Sequence, residues 1–390
     1  MAVRHGYGKV AGADALVFAY DTGDTRNSYR GEPTTNLVTD TPSGNGWAGA
    51  FTVVDSATKT YTIESRQNNA ATTSAWRTHY WSVSSYIGSY VTISADVEFV
   101  SETNCTFRDL SIGQGNTGQY PYHIAGSDVA DRVQITTKPT SKVHVTWSGV
   151  INSTGIVGFT QWINNVTANG ANSVLQISNV QIEAKAHETP FTSSTRSVSG
   201  SLLDLIGNSS VNLTNMSFDS NAQMTFDGTS DYINFPAGTM PNFGTDDFAI
   251  EVIFKMTKST SYSHFYQVKD QYYFALKMNN PDGRIYVYRT SALSSYNAIS
   301  INAPTGNNYY HLVCQRNGDN IEMYLNGEYK GSKSGWGSID IDGDTYDTII
   351  GKYNNEYSQG DQPVTKVYSR ALTAGEVKNN YSHYKNRFGI

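Results

Sequence analysis

Residues 90–100 read YVTISADVEFV. Val91, Ile93, Ala95, Val97 and Phe99 fall on one side of an extended chain, and the polar residues fall on the other. Strict alternation of this kind marks a strand with one face buried. The same pattern continues on both sides. TFRDLSI (106–112), DRVQITT (131–137), KVHVTWSGVI (142–151), IVGFTQWI (156–163) and VLQISNVQIEA (174–184) are short alternating runs split by Gly, Asn, Ser and Pro. That spacing predicts a β-sandwich over 41–192.

A second series of runs follows from 202 to 390. FAIEVIFKM (248–256), FALKM (274–278), GRIYVYR (283–289), YHLVCQR (310–316) and IEMYLNGEYKG (321–331) are its clearest pieces. Asn326-Gly327 is a strong hairpin signal. TAGEVKNNYSHY (373–384) predicts a short helix that begins at a Thr cap, with Glu376 placed for a capping box. Between the two series, SSTRSVSGS (193–201) has linker composition. The expected fold is therefore all-β: two tandem sandwiches joined by a linker.

Composition supports this fold. Charged residues are 16 % of the 390, while Tyr numbers 27 and Gly 34. Thr and Tyr suit strands, and Gly and Asn suit turns. The net charge of -6 and the lack of a basic run argue against nucleic acid. No stretch approaches the apolar length of a membrane span, and none near the N-terminus reads as a cleavable signal. Cys105 and Cys314 are too few and too far apart for a disulfide framework; small core hydrophobes are the expectation.

Residues 1–40 are broken by glycines, and only ALVFAY (15–20) could form a strand. Two readings stay open: a solvated tail, or an attachment arm anchored by Tyr7, Phe18, Tyr20 and Tyr29.

Candidate chemistry is sparse. Gly44-Gly46-Gly49 and Gly113-Gly115-Gly118 match GxGxxG but lack the following helix, so they read as hairpin or loop glycines. Asp340, Asp342 and Asp344 alternate in a short acidic loop, a spacing that suits calcium oxygens, against the simpler reading of a solvated turn. No catalytic residue is expected. Glu251 reads as a solvent-facing strand residue. The aromatic clusters are more informative, because sugars present C–H faces to rings and hydroxyls to amides. Trp76, Tyr80, Trp81 and Tyr86 form one cluster; Tyr262 and Tyr266 lie in a second; Tyr353 and Tyr357 lie in a third. The competing reading is strand core.

The first block resembles the jelly-roll carbohydrate-binding modules. The likeness rests on NLVTD (36–40) with Trp47, on YVTISADVEF, on VHVTWSGVINSTGIVGF and on the closing LQISNVQIEAKAHETPF with Glu183, Pro190 and Phe191. The second resembles concanavalin- or laminin-G-like sandwiches through FDGTSDYI, YHLVCQR, IEMYLNGEYKG and IIGKY…VTKVYSRALTAGEV. It departs where GDQPVTKVY (360–368) stands in place of the family's acidic Gly-x-Ile-Asp-Glu.

The two-sandwich order, VFAYDTGDT…GEPTTNL and the closing NRFGI together resemble structural proteins of tailed-phage particles. That resemblance implies a virion surface appendage of fibre or decoration type. It would be joined to other virion proteins through residues 1–40, assembled as a homo-oligomer, and able to contact host-surface glycans without chemistry. A receptor-binding adhesin, a glycan depolymerase and a ligand-free cement protein stay open as alternatives.

Overall fold

The computed structural model describes residues 4–390 apart from 6–7, 10, 47, 69–71, 116–130, 208–209, 258–261, 269–273, 289–298 and 305. The chain is all-β except for one C-terminal helix and a single 3-10 turn among the described residues. It forms two compact units. One takes residues 33–196 with the tripeptide 220–222; the other takes 1–32, 197–219 and 223–390.

The 33–196 unit is a sandwich of two five-stranded antiparallel sheets. One runs Arg132–Ile135, Thr106–Gln114, Ile156–Asn164, Ser74–Ser82, Ser43–Gly46; the other runs Val143–Val150, Tyr90–Thr103, Ala171–Glu183, Thr60–Gln67, Phe51–Asp55. Val91, Ile93, Ala95 and Val97 are fully buried against Leu110, Ile112, Val157 and Phe159 of the opposite sheet. The period-2 pattern thus packs one face of each sheet into a single core. The Glu183 carboxylate closes the unit. It is fully buried and accepts from the Thr34 hydroxyl (2.9 Å), the Thr189 hydroxyl and backbone N–H (2.8 Å each) and Gln181 Nε2 (2.9 Å). Such saturation is what a buried carboxylate requires.

The other unit stacks an eight-stranded sheet on a six-stranded one. Phe248–Met256 lies in the middle of the first, between Tyr310–Asn317 and Gln359–Tyr368. Phe274–Asn279 pairs with Tyr262–Val268 and Arg284–Tyr288 in the second. Asn326 and Gly327 have φ of 52° and 76° between the strands Asn320–Leu325 and Glu328–Ser334, as a primed hairpin turn needs. The helix Ala374–Phe388 extends beyond the predicted 373–384. It starts at a Thr373–Glu376 capping box and ends at Gly389 in the left-handed region. Cys105 and Cys314 are buried and unbridged.

Three expectations are corrected. Phe18, Tyr20 and Tyr29 do not anchor an attachment arm. Leu16–Asp21 is a strand paired with Gln359–Tyr368, and Phe18, Tyr20 and Tyr29 lie in the hydrophobic core at 0–1 % exposure. Buried rings of that kind cannot anchor a partner. Tyr7 lies outside the described residues. The 193–201 stretch is not a free tether either. Thr195–Arg196 pairs with Thr34–Thr35, Arg196 donates to Pro190 O and the Thr189 hydroxyl, and Ser201 is fully buried. Finally, Glu251 points to the outer face of its sheet, as alternation requires, but that face is covered by the C-terminal helix, and Glu251 is fully buried.

Candidate functional site

In the 33–196 unit, the strand Ser74–Ser82 directs Ala75, His79 and Trp81 inward. Trp76, Thr78 and Tyr80 therefore lie on the outer face. Its neighbour Ile156–Asn164 buries Val157, Phe159 and Ile163 and leaves Gly158, Thr160 and Trp162 on that same face. The antiparallel register sets Trp162 opposite Trp76, Thr160 opposite Thr78 and Gly158 opposite Tyr80.

The two indoles lie 6.2 Å apart at 33° and are half-buried, so each keeps part of its ring exposed. The Thr78 and Thr160 hydroxyls are 2.7 Å apart. On the far side, the strand Thr106–Gln114 carries the row further, with Asp109 opposite Trp162, Ser111 opposite Thr160 and Gly113 opposite Gly158. A bulge between Phe107 and Asp109 adds Arg108. Its guanidinium stands 4.8 Å over the Trp162 ring, and its Nε is 3.2 Å from Asp109 Oδ2. Stacking and the ion pair together fix the guanidinium.

The face is therefore graded. At one end lie two indoles with a fixed guanidinium and a buried carboxylate. Hydroxyls fill the middle. At the other end Tyr80 stands beside bare backbone at Gly158 and Gly113. A Cβ at Gly158 would lie 2.2 Å from the His79 carbonyl, and one at Gly46 would lie 2.6 Å from the Trp76 ring. These glycines are required by close approach, so Gly46 belongs to an edge strand rather than to a loop. Ser111 Oγ is buried with no hydrogen-bond partner among the described residues. Thr78, Thr160 and Ser111 are all fully buried.

Of the sequence-expected rings, Trp76 and Tyr80 lie on this face. Trp81 does not. It is a core residue, edge-on to Phe159, with its indole N–H donated to the Thr39 carbonyl (2.8 Å). Tyr86 sits on the 3-10 turn Ser84–Tyr86 and packs against the sandwich core. Trp162, Arg108, Asp109 and Ser111 were not anticipated. The parity of Trp162 within IVGFTQWI was legible, but its pairing with Trp76 was not.

In the other unit the expected rings do not form one patch. Tyr266 is fully buried in the core. Tyr262 and buried Tyr353 both approach His264, at 6.2 and 5.7 Å between ring centroids. The Lys277 amine lies 3.6 Å from the Tyr262 ring, and burial pushes its pKa down to about 8 against the opposing field of Glu356. Tyr357 packs with Tyr232 and Lys352.

The acidic loop serves its own fold. The Thr345 hydroxyl and the backbone N–H groups of Thr345 and Asp344 donate to Asp342 and lower its pKa, and Asp344 accepts from Asn242 Nδ2. Among the described residues no three His, Cys, Asp or Glu side chains stand close enough to share a metal ion. Asp340, Asp342 and Asp344 are thus not gathered around one point.

Residues 227–378 match the concanavalin A-like lectin/glucanases superfamily. No curated protein matches the chain. Similar solved structures include the binding domain of botulinum neurotoxin DC in complex with rat synaptotagmin II, at 10 % identity and a TM-score of 0.39, covering 47 % of this chain and 49 % of that one. Another is the botulinum neurotoxin serotype D ligand-binding domain in complex with N-acetylneuraminic acid, at 14 % identity and a TM-score of 0.38, covering 48 % and 49 %. The chain thus spans about half the length of each.

Proposed function

We propose that this chain binds a glycan on the outer face of the sheet carrying Trp76 and Trp162, and that it does so as a surface component of a tailed-phage particle. The paired indoles carry the binding reading. Two half-exposed rings side by side, bordered by the Arg108 guanidinium held on Asp109, offer the C–H stacking and polar-edge contacts that a sugar chain needs. Rings held in strands lose little entropy on binding. Weak single-site affinity becomes useful avidity when copies are displayed together. The phage setting rests on the sequence resemblance of both ends of the chain. Attachment through residues 1–40 is not part of the proposal, because their rings are in the core.

A glycan array probed with the whole chain, followed by calorimetry on the best ligand, tests this. Trp162→Ala should weaken binding at least tenfold, the loss of one aromatic anchor. An unchanged affinity in Trp76→Ala and Trp162→Ala would end the reading. New reducing ends on incubation with the ligand would favour the depolymerase alternative instead. Antibody labelling of intact particles tests the setting; labelling absent from the particle surface would remove it.

A further inference from the structure

The outer face of the eight-stranded sheet holds a polar cluster that core packing does not account for. Glu251 and Lys366 are directly opposed on adjacent antiparallel strands, and both are fully buried beneath the C-terminal helix. Lys366 Nζ is 3.9 Å from Glu251 Oε2 and 4.5 Å from the centre of the Tyr384 ring. It has no hydrogen-bond partner among the described residues. A charged amine in such a place is costly, and burial lowers its pKa toward the neutral, nucleophilic form.

The helix delivers a carboxamide to the same carboxylate. Asn380 is 1 % exposed, and its Nδ2 donates to Glu251 Oε2 at 3.0 Å and to the Tyr368 hydroxyl at 3.3 Å. Its Oδ1 accepts from the Ala11 backbone N–H at 2.9 Å. His311 Nε2, at 2.9 Å from Oε1, and the Tyr368 hydroxyl, at 2.5 Å from Oε2, fix the Glu251 carboxylate between the two reactants.

We infer that Lys366 and Asn380 become joined by an intramolecular isopeptide bond, with Glu251 as the proton carrier. The Nζ lone pair adds to Asn380 Cγ, and the carbonyl electrons move onto Oδ1, where the Ala11 N–H already donates. Glu251 takes a proton from the new Nζ–Cγ linkage and gives it to Nδ2. The Cγ–Nδ2 bond breaks, the carbonyl re-forms and ammonia leaves. The chain loses one nitrogen and three hydrogens, and no oxidant or cofactor is consumed. Lys366 Nζ at 3.9 Å and Asn380 Nδ2 at 3.0 Å share the Oε2 oxygen of Glu251, so one carboxylate holds amine and amide as neighbours. The product replaces an unpaired buried amine with a neutral amide and ties the last strand of the sheet to the helix.

The test is the mass of the intact, denatured full chain. It should lie one ammonia below the sequence mass. Trypsin should fail to cut after Lys366 and should release peptide 353–370 joined to peptide 379–385. Lys366→Met, Asn380→Ala and Glu251→Gln should each restore the unjoined peptides, whereas Asn380→Asp should form the link with loss of water. A folded wild-type chain at full sequence mass, giving separate 353–366 and 379–385 peptides, overturns the inference whatever the variants do.

Discussion

Deleting residues 1–30 should unfold the concanavalin-like unit rather than release a folded protein from an assembly. Phe18, Tyr20 and Tyr29 are all at 0–1 % exposure, and Phe18 sits edge-on to Phe235 at 5.2 Å and to Tyr20 at 6.2 Å. Truncating one buried aromatic costs about 3–5 kcal/mol. Removing three, along with the ladder from Leu16–Asp21 to Gln359–Tyr368, exceeds or consumes the ~5–15 kcal/mol that holds a domain. Phe18→Ala alone should therefore lower the stability of this unit by about 3–5 kcal/mol and leave the 33–196 unit as it was. Scanning calorimetry and urea titration on full chain, Phe18→Ala and the deletion separate these outcomes, because two units give two transitions to follow. A deletion protein that keeps both transitions at their original midpoints would refute the assignment of this strand to the core.

Two other outcomes follow from the same geometry. In the chain whose Lys366 and Asn380 are not joined, burial would raise the Glu251 pKa, but Lys366, His311 and Tyr368 hold it at about 2, well below its ordinary value. A depressed carboxylate contributes stability above its unfolded pKa and loses it as pH falls. The concanavalin-like unit should thus weaken between about pH 4.5 and pH 2, and Glu251→Gln should flatten that part of a pH–stability curve; an unchanged slope would count against the buried network. Gly158→Ala should destabilise the 33–196 unit, since its Cβ would sit 2.2 Å from the His79 carbonyl and 2.6 Å from Tyr80 Cα. A wild-type melting temperature for this variant would show that the sheet gives way without cost.

What the sequence disclosed, and what it withheld, follows from range. Val91 to Val97 could be read as a buried face because alternation records which side of a strand is apolar. It does not record what covers the other side. Glu251 alternates outward as expected, yet a helix more than a hundred residues later lies over it, so its exposure was misjudged. ALVFAY looked isolated for the same reason: its partner strand, Gln359–Tyr368, is at the far end of the chain. In the candidate face Trp76 and Tyr80 were legible from local ring content. Trp162 and Arg108 were not, because only strand register and a bulge bring them to Trp76. Trp81 failed through parity, since adjacent ring residues in one strand cannot share a face. In the acidic loop Asp342 and Asp344 accept from neighbouring amides, contacts that the spacing of the aspartates does not record.

The pairing of Leu16–Asp21 with Gln359–Tyr368 makes the 33–196 unit an insertion inside its neighbour. During synthesis Leu16–Asp21 must wait while more than three hundred further residues emerge. The inserted sandwich carries all its own strands and can close early on the ribosome, whereas its host stays incomplete until the final strand appears. Premature termination between the end of the inserted sandwich and that strand should leave one finished sandwich attached to an unfinished one that exposes apolar surface, a species that quality-control proteases are suited to remove.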